Sequence, residues 1–134
     1  MTRVDFYLAT HADRDLLACR LAETAFRHGH RVVLWVGRED LTSWDQRLWT
    51  FSDRSFLPHA CGEAGDEPVL VCADPPATGD VLIPLTDEPP DPRPGFARIL
   101  EAIGPSEEHK ERSRARFRAY RQLGLDPAVH TLSW

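Results

Sequence analysis

The chain has 134 residues, 42% of them hydrophobic, and a formal net charge of −5, the size and composition of one globular domain, residues 1–134, with a single core. No apolar run approaches the roughly 20 residues that cross a bilayer, and Met1-Thr2-Arg3-Val4-Asp5 lacks the regions of a secretion signal. The acidic total argues against a surface that tracks a phosphate backbone throughout. The expected compartment is the cytoplasm, and the widely spaced Cys19, Cys61 and Cys72 are expected as reduced, structural thiols.

Val4-Asp5-Phe6-Tyr7-Leu8 predicts a strand, after which Thr10-His11-Ala12-Asp13 offers turn and N-cap chemistry. From about Asp13 to His28, Leu16, Leu17, Leu21, Ala25 and Phe26 recur at helical spacing, and Gly29 stands where a left-handed cap ends a helix. The uninterrupted apolar run at 32–36 predicts a strand covered on both faces, completing a βαβ unit. A second helix is expected from about Asp40 to Trp49, followed by an extended or irregular stretch through Phe56-Leu57-Pro58-His59. Residues 69–72 and 81–85 predict two more buried strands, separated by a loop containing Pro75, Pro76 and Gly79. Beyond an acidic, proline-rich loop at 87–95, residues 97–103 fit either a strand or a short helix. A last helix, from about Glu107 to Leu123, lies between Pro105-Ser106 and Gly124. The expected fold class is α/β, with a mostly parallel central sheet flanked by helices.

A βαβ start invites a nucleotide, but the first turn, from Ala9 to Asp15, contains no glycine, and no Gly-rich phosphate-binding motif occurs in the chain. His28 and His30 are a close pair without the further ligands that a metal needs, so capping is the expected role. Asp13 and Asp15 suit a helix N-terminus. Asp53, Ser55 and His59 lie near one another, yet no nucleophile elbow supports hydrolysis. Neither a catalytic residue nor a cofactor or metal is expected.

The strongest charge feature is the segment 110–121, where Lys110, Arg112, Arg114, Arg116, Arg118 and Arg121 face the single carboxylate Glu111. At about 100° per residue, Lys110, Arg114, Phe117, Arg118 and Arg121 share one face and Arg112 and Arg116 lie on the other side. Like charges three or four residues apart oppose helix formation, so an anionic ligand is expected on that face. An exposed Phe117 framed by guanidinium groups suits an acidic peptide with an apolar end. Direct binding of single-stranded nucleic acid is the alternative, and a solvated face whose cations pair with Glu107 and Glu108 is the plain structural reading. A second feature is the cluster Trp44, Trp49, Phe51 and Phe56, some of it core and some of it suited to a partner pocket.

Taken together, Phe6-Tyr7-Leu8, Gly29-His30-Arg31-Val32, Leu48-Trp49, Ser55-Phe56-Leu57-Pro58-His59, Asp80-Val81-Leu82-Ile83-Pro84-Leu85 and the run Arg114 to Arg121 resemble the chi subunit family of bacterial DNA polymerase III nearly end to end. The resemblance implies a non-catalytic accessory of the clamp loader with an α/β fold akin to nucleotide-binding folds. It also implies a grip on the acidic C-terminal tail of single-stranded-DNA-binding protein, through Lys110, Arg114, Phe117, Arg118 and Arg121. A second interface, with Trp49, Phe56, Pro58 and His59, is implied for the psi subunit, which links to the clamp loader, and a helicase can claim a related surface. Nucleic acid would be reached only indirectly. Phe117 stands where the family usually has a larger or hydroxylated aromatic, Leu125 replaces a frequent aromatic, and Pro89, Pro90, Pro92 and Pro94 stiffen the loop before Phe96.

Overall fold

In the computed structural model, which describes residues 2–52, 57–62, 67–86 and 95–134, the apolar runs assemble into one seven-stranded sheet. The strands are β1 (Arg3–Ala9), β2 (Val32–Trp35), β3 (His59–Cys61), β4 (Val69–Cys72), β5 (Thr78–Pro84), β6 (Gly95–Ile103) and β7 (Ala128–Leu132). Their order is β3-β4-β2-β5-β6-β1-β7, and every described pairing is parallel. Three helices, α1 (Arg14–Arg27), α2 (Leu41–Thr50) and α3 (Glu107–Gln122), complete the α/β fold, with a short 3-10 turn, Arg38–Asp40, leading into α2.

The helix ends follow the local chemistry. Asp13 caps α1 by accepting from the Leu16 amide at 2.8 Å, and Gly29 ends it at φ 85°. Ser106 caps α3 by accepting from the His109 amide at 3.2 Å. The strands alternate between two cores. Leu17, Leu21, Trp44 and Leu48 pack with Leu34, Val71, Ile83 and Leu100 on one side. Val4, Phe6, Val33, Leu82, Phe96 and Ile99 pack on the other with Tyr120 of α3.

The structure extends the sequence reading at four places. Residues 97–103, which fitted strand or helix equally, lie within β6, because β5 and β1 pair with it on either side. His59, assigned to an extended or irregular stretch, begins the short edge strand β3. β7 was not expected at all; it is an edge strand of alternately half-buried and exposed residues that pairs with β1 from Asp5↔Ala128 to Ala9↔Leu132. Gly79, placed in a loop by sequence, lies in β5 under the Phe96 ring, where a Cβ would collide with that ring. Cys19 and Cys72 are buried, and burial pushes their thiols up to about 12 and about 11 respectively. Cys61 corrects the expectation of three structural thiols, since it is exposed on β3. Most of the proline-rich loop lies outside the described residues, as does Phe56. Among the described residues no helix is long and apolar enough to cross a membrane.

Candidate functional site

The parallel sheet delivers β6 into α3 through Gly104-Pro105-Ser106, so α3 runs back across the sheet near β6 and β1. Two of its polar side chains turn inward. Arg116 Nε donates to Glu101 Oε1 and Oε2 at 2.9 and 3.0 Å, and Arg116 Nη2 donates to Oε2 at 2.7 Å. The Tyr120 hydroxyl donates to the same Oε2 at 2.6 Å. Glu101, on β6, is buried. Burial pushes the Tyr120 hydroxyl well above its ordinary pKa, and the Glu101 charge adds to the shift. For Arg116, burial works against the charged form, but the charge and hydrogen bonds of Glu101 outweigh it and hold the guanidinium ionised.

With Arg116 directed at the sheet, Lys110, Arg114, Phe117 and Arg118 border a cleft of about 370 Å³ beside α3. Phe6 and Leu8 of β1, Ile103 of β6 and Val129 of β7 supply its apolar wall and floor. The Phe117 and Phe6 rings lie 5.4 Å apart. Phe117 is therefore half-buried against the core and corrects the expectation of an exposed ring: its inner face is packed, and only the rest faces the cleft. Lys110 reaches Glu107 at 3.6 Å and Arg112 reaches Glu108 at 2.6 Å, so part of the basic run is paired as the plain reading held. Among the described residues Arg114, Arg118 and Arg121 make no ion pair. Arg121 shares the angular face but lies exposed at the last turn and does not line the cleft.

Sequence reasoning missed Phe6, Leu8, Ile103, Ser113 and Val129 as cleft residues. Leu8 was legible in principle, because it is two residues from Phe6 on a strand and so shares its face. Ile103 needed the strand assignment of β6, and Val129 needed β7, for which the sequence carries little pattern.

The second aromatic feature is divided by the fold. Trp44 is core and Phe51 packs half-buried against it, whereas Trp49 is 51% exposed. The Trp49 ring lies 4.7 Å from that of His59, whose side chain is wholly buried. His59 Nδ1 meets Leu57 O at 2.7 Å and Nε2 meets Asp45 Oδ1 at 2.9 Å, so it supports the tryptophan from beneath. Pro58 beside it is half-buried. His28 Nδ1 binds the Thr24 carbonyl at the end of α1 and His30 Nδ1 binds Asp80; the two do not converge on one another.

The family described as DNA polymerase III chi subunit, HolC, matches residues 1–128 of the chain. DNA polymerase III subunit chi of Pseudomonas aeruginosa is 41% identical over 98% of both chains. The subunit chi of Escherichia coli is 27% identical over 90% of this chain and 85% of its own length, and that of Haemophilus influenzae is 29% identical over 81% and 80%. The matched span takes in the basic helix α3, the Trp49 face and nearly all of the sheet, so the chain belongs to the DNA polymerase III chi subunit family, accessory subunits of the replicative polymerase.

Proposed function

We propose that the protein is a non-catalytic adaptor that works in the cytoplasm and needs no cofactor. The cleft beside α3 grips the acidic C-terminal tail of single-stranded-DNA-binding protein. The face around Trp49 and Pro58, with the wholly buried His59 as its support rather than a contact and with Phe56 as the family resemblance implies, meets the psi subunit and through it the clamp loader, and a helicase can claim the same face.

The observation that carries this reading is the conjunction of an apolar floor, Phe6 with Phe117, and a rim of Lys110, Arg114 and Arg118. An acidic peptide ending in an aromatic residue satisfies both halves. Its ring takes the floor, while side-chain and terminal carboxylates pair with the rim. A nucleic-acid backbone would use the cations alone, and the net charge of −5 opposes its approach. Arg121, beyond the floor, adds attraction without contact at the apolar end.

The test is a fluorescence titration of a labelled acidic peptide ending in Pro-Phe against wild type and Arg114→Ala. Saturable binding on the micromolar scale, about −8 kcal/mol, weakened by salt and lost in the variant, supports the reading. A folded protein that ignores the peptide but binds a single-stranded oligonucleotide with a steep salt dependence overturns it.

A further inference from the structure

Cations surround α3, and its apolar seam with the sheet is narrow, with Phe117 and Tyr120 closing on the one ring of Phe6, so that seam alone leaves latitude in which cation faces the sheet. Among the described residues Tyr120 is the one buried residue of the helix, and Phe117 is only half-buried. A helix with so narrow an apolar stripe has a weakly specified rotation about its own axis. Ion pairs supply the missing specification, and only one of the ion pairs described for α3 joins it to the sheet. Both oxygens of Glu101 are engaged by the Arg116 fork, and the Tyr120 hydroxyl, one turn along the same face, closes on Oε2.

The angular consequence is large. Arg114 and Arg118 are each two residues from Arg116, about 160° around the helix from it, with Phe117 and Lys110 at about 100° and 120° on the cleft side. A rotation that brought a different cation to the sheet would carry the rim away from Phe6. We infer that Glu101 is the positioning residue of the cleft: through Arg116 and Tyr120 its buried carboxylate sets the rotation of α3 that holds Lys110, Arg114 and Arg118 over the apolar floor. Affinity for an acidic peptide then depends on a side chain that the peptide does not touch. This inference rests on the acidic-peptide reading of the cleft.

Two variants test it. Glu101→Gln leaves Arg116 buried without its counter-charge, so it disturbs folding as well as position. The second variant, Glu101→Leu/Arg116→Met/Tyr120→Phe, removes the three polar partners of this network together, so none of the three is left facing an absent partner; apolar replacement of buried ion pairs is commonly neutral or stabilising. Three quantities are read: thermal midpoint, affinity for the labelled peptide ending in Pro-Phe, and amide hydrogen exchange along α3.

The triple variant is expected to keep its thermal midpoint within about 5 °C of wild type while binding the peptide about tenfold more weakly or worse, with α3 amides exchanging faster relative to the sheet. A folded triple variant with wild-type affinity overturns the positioning role and leaves the acidic-peptide reading intact. A wild-type protein that binds no peptide overturns that reading and this inference with it. A collapse of the thermal midpoint in the triple variant also overturns it, by making the network a brace for the whole fold.

Discussion

The ring of Phe117 meets that of Phe6 at 5.4 Å and a tilt of 55°, one ring carried by α3 and the other by β1. The floor of the cleft and the seam that joins the helix to the sheet are therefore the same contact. Tyr120 meets Phe6 edge-on at 5.9 Å, so Phe6 is packed from both sides of one helical turn.

Because the contact serves both purposes, Phe117→Ala is expected to lower stability and peptide affinity together. The cost in stability is about 2 kcal/mol, below that of a fully buried phenylalanine because the ring is half-exposed. Urea unfolding and the peptide titration measure the two losses; a stability loss without a loss of affinity would show that the apolar end of the peptide does not use this floor.

Arg118 and Arg121 separate the cleft from the general basic field of α3. Arg118→Ala is expected to weaken the peptide about tenfold, since charge-assisted pairs are worth about 1.5–3 kcal/mol. Arg121→Ala is expected to change affinity about twofold and only at low salt, where screening is weak. Neither replacement should lower the thermal midpoint, because both side chains are exposed. Equal losses in the two variants would mean that the ligand tracks the whole helix.

Trp49 and His59 should part in stability. Trp49→Ala removes a ring that is half exposed and is expected to cost under about 1 kcal/mol, while weakening association with psi in a pull-down or titration. His59→Ala empties a wholly buried site and strips contacts from Leu57 O and Asp45, so it is expected to cost about 2 kcal/mol or more. Binding of the acidic peptide should survive Trp49→Ala unchanged, since Trp49 does not line the cleft.

Acid sensitivity is expected from Asp5. Burial pushes its carboxyl up, but hydrogen bonds from His130 at 2.9 Å and Arg98 at 2.8 Å, with the charges of Arg98 and Arg3, outweigh burial and hold it below its ordinary 3.8. A depressed carboxylate stabilises the fold above the unfolded-state value, and that contribution is lost as pH falls through the folded value. Stability should therefore decline below about pH 4. His130→Ala removes one of the bonds and narrows the gap between the folded and unfolded values, so the Asp5 contribution should be smaller and its loss complete at higher pH, while its onset stays put; a thermal-midpoint series between about pH 2 and 6 reads the shallower limb. An unchanged acid limb would show that Asp5 does not govern it.

Much of the fold was legible because its determinants are local. The runs at 32–36, 69–72 and 81–85 are continuously apolar, as strands covered on both faces must be, and Asp13, Gly29, Ser106 and Gly124 mark helix ends by chemistry confined to one or two turns. The separation of Arg116 from Arg114 and Arg118 was equally readable, since it follows from helical geometry alone. β3 and β7 were not. Each is an edge strand of three to five residues, and an edge strand is held by pairing with one neighbour more than by its own pattern.

The sequence by itself determined an α/β chain with a basic last helix, its two opposed cationic faces and its likeness to the chi family, because composition, periodicity and end caps are properties of neighbouring residues. Only the tertiary structure decided which cationic face meets the sheet, that Phe117 is packed on Phe6, and that Leu8, Ile103 and Val129 complete the cleft. Those outcomes depend on residues such as Glu101 and Arg116, or Phe6 and Val129, that are far apart in the chain and are brought together by the parallel register of β6, β1 and β7.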